Sequence, residues 1–293
     1  MTVDQRHQQT GPRTSVRPDA PTPYARTSLM LVVVVAFVWA VLESDIELSA
    51  FVDGLVRFPR IMGQMFLPPD WTYVGRAMEG MIESVQIAWL GTIIGAIASL
   101  PLALLAAKNV TGQATSNAAR QILNGFRAFP ELILAILFVT VVGLGPVAGM
   151  LAIGIHSIGT LGKLASEVVE GIDPGPIEAS EAVGGNWFQR MRWGVLPQAM
   201  PEIVAFWLYR FEINIRASAI LGVIGAGGVG AILSNTVVYR RWDKAGMTLI
   251  VVVGVTLLID AVSGRIRRRI IEGPARGDAT TEDEFVTASA EMA

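Results

Sequence analysis

The sequence predicts an all-α protein that crosses a membrane several times, and three observations carry that prediction. Hydrophobic residues make up 52% of the 293 and charged ones 16%, with a mean hydropathy of +0.50, beyond what a soluble domain of this length uses. Apolar runs close to the roughly 20 residues that cross the hydrocarbon recur along the chain. Each run ends at proline, glycine or charge, where a span meets water.

Residues 1–26 carry Arg6, Arg13, Arg17 and Arg26 among Gln, Pro and Thr, too polar for a core, and read as a disordered tail. The first apolar run, about 28–42, follows this long tail with no small-residue cleavage site after it. It reads as an uncleaved helix rather than a signal peptide. The segment 43–79 is amphipathic and mildly acidic, and Trp71 and Tyr73 suit an interface. Further spans are expected at about 81–107, 127–143, 147–169, 202–222 and 245–264, which makes six.

With an even number of spans both termini share one side. If that side is the cytoplasm, fifteen basic residues fall inside and six outside, while Arg210 and Arg216 lie within the fifth span. Both termini are therefore expected in the cytoplasm, and 43–79 outside. The organisation expected is a tail at 1–26, a first span and external segment at 27–79, a transmembrane domain at 80–270, and a polar acidic tail at 271–293.

Composition removes several function classes. A net charge of −2 gives no electrostatic case for nucleic acid. The absence of cysteine excludes thiol nucleophiles, disulfides and cysteine-based metal sites, and the only histidines are His7 and His156. Gly225, Gly227 and Gly230 satisfy GxGxxG, but they follow a membrane span with no βαβ unit around them, so they read as a tight bend or a close helix approach. Gly162-Lys163 fails the Walker-A pattern, because Ser157 stands five before Gly162 and Leu164 follows the lysine. Catalytic, cofactor and metal residues are expected to be absent.

One polar segment is patterned. Pro174 and Pro176 lead into a short helix read at Glu178–Ala182, which ends near Gly184 and Gly185. Trp187, Phe188 and Trp193 follow as an apolar face, and Leu196-Pro197 closes the segment. A short helix held clear of the bilayer suits a partner's groove; the alternative is an ordinary solvated linker.

Glu178-Ala179-Ser180, then Gly184, then Leu196-Pro197 after eleven residues, resembles the EAA loop of ABC-importer permeases, the coupling helix that docks on the ATPase. The family prefers alanine where Ser180 stands and isoleucine where Gly194 stands. The resemblance covers about 80–270 and implies a type I importer transmembrane domain with its coupling loop at 174–197. Five further pieces, in order, look like phosphonate-importer permeases: Arg127 to Leu132, His156 to Lys163, Ile172 to Pro176, Tyr209 to Arg216 and Gly225 to Gly230. What this implies is a second copy of the chain, two ATPase subunits that carry ATP and Mg, and an extracytoplasmic binding protein. The implied cargo is phosphonate or a related phosphorus oxyanion, with phosphite and phosphate left open.

Polar residues inside the spans read two ways. His156, Thr160, Lys163, Glu167 and Glu170 share one face of the fourth span, which either lines the pathway or holds helices together, with a Lys163–Glu167 pair. Glu131, beside Pro130, reads as a cap, a pairing group or a pathway residue. Glu212 and Arg216, four apart, read as a local ion pair. Arg210 has no such neighbour, and its face continues through Asn214 and Ser218, a donor-rich row that suits an oxyanion. It either attracts the anion or pairs with Glu131 or Asp260. The rival function is an ion-driven secondary transporter, which has no use for a coupling loop; a membrane-bound enzyme is weakened by the lack of any nucleophile, metal set or cofactor motif.

Overall fold

The computed structural model describes residues 23–44 and 48–272. Among them the regular structure is helical and no strand occurs. Most of the two expected tails lies outside the described residues, although 23–26 belong to the first helix and 271–272 to the last.

The chain divides between Phe58 and Pro59. In the first unit, α1 (Pro23–Glu43) exposes apolar side chains around its circumference, Leu29, Val33, Phe37 and Trp39 among them, as a helix solvated by lipid does. α2 (Leu48–Phe66) begins in this unit and is amphipathic, with Asp53 and Arg57 paired at 3.5 Å on its polar side.

In the second unit a 3₁₀ turn at Trp71–Tyr73, capped by Asp70, opens into α3 (Val74–Ala106). There follow α4 (Gln113–Ala128), α5 (Glu131–Val142) and α6 (Pro146–Glu170). Then come α7 (Gly175–Ala182), α8 (Trp187–Gln189), α9 (Leu196–Val223), α10 (Val229–Val238) and α11 (Trp242–Glu272).

The α3–α6 pair forms the spine. A Cβ on Gly91 would meet Ile153 Cγ2 at 2.7 Å, and one on Gly95 would meet Ser157 Cβ at 2.5 Å. The two helices therefore run parallel and touch backbone to backbone, the packing that small residues at GxxxG spacing permit. α9 runs antiparallel to both, its Asn214 near Thr92 and its Ser218 near Ser84. α11 returns beside α9, with Asp260 opposite Arg216 and Arg267 opposite Glu212. These directions put the C-terminal ends of α3, α6 and α11 and the N-terminal end of α9 on one side of the bundle. α7 lies on that side.

The span count differs in detail from the expected six. Four helices, α1, α3, α6 and α11, are long and apolar enough to cross a membrane, and a fifth span arises if α4 and α5 count together. The run expected at 127–143 is not one rod: α4 and α5 meet at a 76° bend. Pro130 is the cause, since the residue before a proline avoids the helical region, and Phe129 is extended at φ −83°, ψ 117°. α9 has 28 residues, about 42 Å at 1.5 Å each, enough for the hydrocarbon. Its Glu202, Arg210, Glu212 and Arg216 keep it out of the apolar set. α4 and α10 escaped the sequence reading, the first because it is amphipathic rather than apolar, the second because it is only 10 residues long.

Candidate functional site

The interior polar network centres on α9. Arg210 is 9% exposed at its side chain; its Nε donates to Ser157 Oγ of α6 at 3.2 Å, and its Nη2 lies 3.7 Å from Glu131 Oε2 of α5. One turn on, Asn214 is fully buried and its Nδ2 donates both to Thr92 Oγ1, 2.8 Å away, and to the same Ser157 Oγ, 3.2 Å away. Ser157 thus ties the two residues of α9 to α6. After these bonds, Arg210 Nη2 and Asn214 Oδ1 remain buried without a hydrogen-bond partner.

The donor row expected along Arg210, Asn214 and Ser218 is only partly available. Ser218 donates to Ser84 O at 3.0 Å and to Ile215 O at 2.8 Å, while Ser84 Oγ accepts from Val229 N, so this end of the row fastens α9 to α3 and α10. Of the two carboxylates open to Arg210, Glu131 is the neighbour. Asp260 goes to Arg216 instead, 2.6 Å from Nη2 to Oδ2. This overturns the local Glu212–Arg216 pair: Glu212, 9% exposed, faces Arg267 of α11 at 4.0 Å. Two cross-helix contacts replace one within a helix.

The polar face of α6 divides. His156 Nδ1 lies 3.2 Å from Phe129 O at the α4–α5 break, and Thr160 is half-buried. Lys163 and Glu167 pair at 3.7 Å on an exposed surface, as the spacing predicts. Glu170 turns away to Arg120 of α4, 2.6 Å distant, and accepts from Lys108 N at 2.7 Å, so it fixes the α3–α4 turn.

The second element is the polar segment. α7 starts at Gly175, three residues before the expected Glu178, because Asp173 Oδ1 accepts from Gly175 N at 3.0 Å and organises the turn. It ends in a Schellman motif: Gly185 N donates to Ser180 O at 2.8 Å and Gly184 N to Glu181 O at 2.9 Å, with Gly184 left-handed at φ +78°. Glu178, Ala179 and Pro197 are exposed, and Ser180 and Leu196 are half-buried. Val183, Phe188 and Trp193 are 85%, 77% and 68% exposed, an apolar rim beside α7. Trp187 departs from that expectation and packs inward against the cluster of Val168, Met191, Val195 and Ile203.

α7 is mechanically joined to the bundle. Ile172 and Ile177 pack on the same cluster, and a Cβ on Gly194 would meet Ile177 at 3.2 Å, so glycine there lets α7 lie close. Gln198 Oε1 accepts from Asp173 N at 3.2 Å, while its Nε2 donates to Asp173 O at 3.2 Å and Gly194 O at 2.7 Å. Leu196 N reaches back to Met191 O, a π-helical closure over Arg190–Val195 just before Pro197. Ser157, Thr92 and Gln198 escaped the sequence reading. Ser157 stands beside His156 but is fully buried where His156 is half-buried, and nothing local marks the role of the other two.

At the far end, Gly225, Gly227 and Gly228 all have positive φ, and a Cβ on Gly230 would lie 1.8 Å from Ala219 O. The glycines turn α9 back into α10, as the tight-bend reading expects. Residues 99–272 match the family described as binding-protein-dependent transport system inner membrane component. The chain belongs to that family. The permease is 43% identical over 207 residues, 70% of its length, to the phosphate-import permease protein PhnE of Mycolicibacterium smegmatis, and the match spans 39% of that protein. It is 36% identical over 255 residues, 87% of its length and 89% of the relative's, to the putative phosphite transport system permease protein HtxC of Stutzerimonas stutzeri. The MetNI methionine ABC transporter, solved in inward-facing conformations, has a chain that matches at a TM-score of 0.58 and 24% identity, over 66% of this chain and 95% of that one. The fold is that of a type I ABC-importer permease, a multi-pass inner-membrane transport component; the secondary-transporter reading falls with that membership.

Proposed function

We propose that this chain is the permease subunit of an ATP-driven importer that carries phosphonate or a related phosphorus oxyanion across the cytoplasmic membrane. The observation that carries the cargo is the near full-length likeness to a putative phosphite transport system permease, supported by the phosphate-import relative. A second copy of the chain, two ATPase subunits holding ATP and Mg, and an extracytoplasmic binding protein complete the machine. The broken α4–α5 pair and α9 each serve as a span, which makes six with both termini in the cytoplasm.

In this reading α7 docks on the ATPase, with Glu178, Ala179, Ser180 and the Gly184 turn presented between an apolar rim and the bundle. A push on α7 reaches α6 and α9 through Ile177, Gln198 and the cluster around Val195. Arg210 serves the anion, since its Nη2 is a buried donor without an acceptor. His156, Thr160, Lys163, Asn214, Arg216 and Ser218 are secondary candidates for the pathway.

The test is reconstitution in proteoliposomes with the ATPase and the loaded binding protein. Radiolabelled phosphite, phosphate and methylphosphonate are offered with ATP inside, or with an ion gradient and no ATP. ATP-dependent uptake of at least one is expected; uptake driven by the gradient alone would sink the proposal. Arg210→Gln is expected to keep ATPase stimulation but lose uptake, and unchanged uptake would leave Arg210 as scaffolding.

A further inference from the structure

Glu131 and Arg210 form an unequal pair. The guanidinium is oriented without help from Glu131, because its Nε is held by Ser157 and Ser157 is shared with Asn214. Glu131 supplies a countercharge only: at 3.7 Å its Oε2 lies beyond hydrogen-bond reach of Nη2, which has no other acceptor. It is also the more accessible partner, 29% exposed against 9% for Arg210.

Glu131 owes its place to a backbone break rather than to helix packing. It is the first residue of α5, directly after the extended Phe129–Pro130 pair and the 76° bend. A residue at such a joint can shift without dragging a helix interior with it.

A buried guanidinium without countercharge is costly, whereas a tight bidentate carboxylate would leave no room for competition. The observed geometry lies between these limits. We propose that Glu131 is a displaceable counter-ion that holds the charge of Arg210 until the transported anion replaces it. It thereby sets the least charge an anion needs to enter. A phosphorus oxyanion near charge −2, with several acceptor oxygens, can take the Nη donors and release the carboxylate; a singly charged planar anion such as nitrate gains too little. The inference rests on the pathway reading of Arg210.

The experiment uses the permease–ATPase complex in nanodiscs, without binding protein, and follows ³³P-labelled inorganic phosphate by equilibrium dialysis. Removing a loose ion pair with Glu131→Gln is expected to tighten phosphate binding about tenfold and to let nitrate compete. Glu131→Asp, which keeps the charge on a shorter side chain, should give the same change to a smaller extent, and it serves if the Gln variant does not assemble. Unchanged affinity and unchanged nitrate exclusion in an assembled, ATPase-active variant would overturn the role of Glu131. Arg210→Gln separates the two ideas: if that complex binds phosphate like the parent, the pathway reading itself fails. If it loses binding while the Glu131 variants change nothing, only the counter-ion inference is lost.

Discussion

Arg216 of α9 reaches across to Asp260 of α11, 2.6 Å from Nη2 to Oδ2, although Glu212 stands one turn away on its own helix. Glu212 in turn faces Arg267 of α11. Each charge is thus balanced by the neighbouring helix, and α9 and α11 are held in register at two levels. Asp260→Asn is expected to destabilise the protein by about 1 kcal/mol, because it removes the countercharge of Arg216, whose side chain is 53% exposed. The Arg216→Gln/Asp260→Asn double variant should recover most of that loss. Unfolding in mixed SDS micelles measures both; equal loss in the single and double variants would remove the pair from the account.

Gly184 has nothing within 4 Å of a built Cβ, so substitution there acts through the backbone and the docking surface rather than through crowding. Its φ of +78° costs an L-residue roughly 1–2 kcal/mol and loosens the end of α7. Gly184→Ala is expected to lower ATPase stimulation by loaded binding protein partially, and Gly184→Arg, which also adds bulk and charge, to abolish it while the protein still inserts. Normal stimulation in Gly184→Arg would show that α7 is not the docking element.

Gly95 is the tightest point of the α3–α6 spine. A Cβ there would lie 2.5 Å from Ser157 Cβ and 3.0 Å from Gly154 O. Overpacking of this kind costs about 1–3 kcal/mol or more, and it displaces the serine that orients Arg210. Gly95→Val is expected to lower the melting temperature of the detergent-solubilised protein, whereas Gly112→Val, with open space around its Cβ, should not. Equal melting temperatures for the two variants would contradict the close helix approach.

The absence of cysteine makes topology directly measurable. Arg240→Cys is expected to react with a membrane-impermeant thiol reagent in intact cells, and Gly185→Cys only after lysis. The reverse pattern would turn the molecule over and place α7 on the outside.

What the sequence determines by itself is whatever chain neighbours decide. Apolar runs fix the membrane helices, because hydrocarbon accepts a backbone only when its hydrogen bonds are closed locally. Gly184 and Gly185 mark the end of α7, because a left-handed cap needs glycine, and Gly91 and Gly95 mark the contact face of α3, because only small residues bring helices close. Pro130 lies inside the run expected as one span at 127–143, and the bend there appears only in the structure.

The tertiary structure alone decided where the charges go. Spacing along a helix brings together only residues three or four apart, so the sequence offered Glu212 to Arg216 and offered Arg210 a choice between two carboxylates. The partners found are 44 residues away for Arg216 and 79 for Arg210 if one counts from Asp260 and Glu131. Which distant carboxylate lies within reach depends on how α3, α6, α9 and α11 stack, and that stacking follows from glycine contacts and buried polar bonds distributed over the whole bundle. Ser157 illustrates the same limit: its neighbour His156 looked functional in the sequence, but the face of α6 buried against α3 and α9 is the one that orients Arg210.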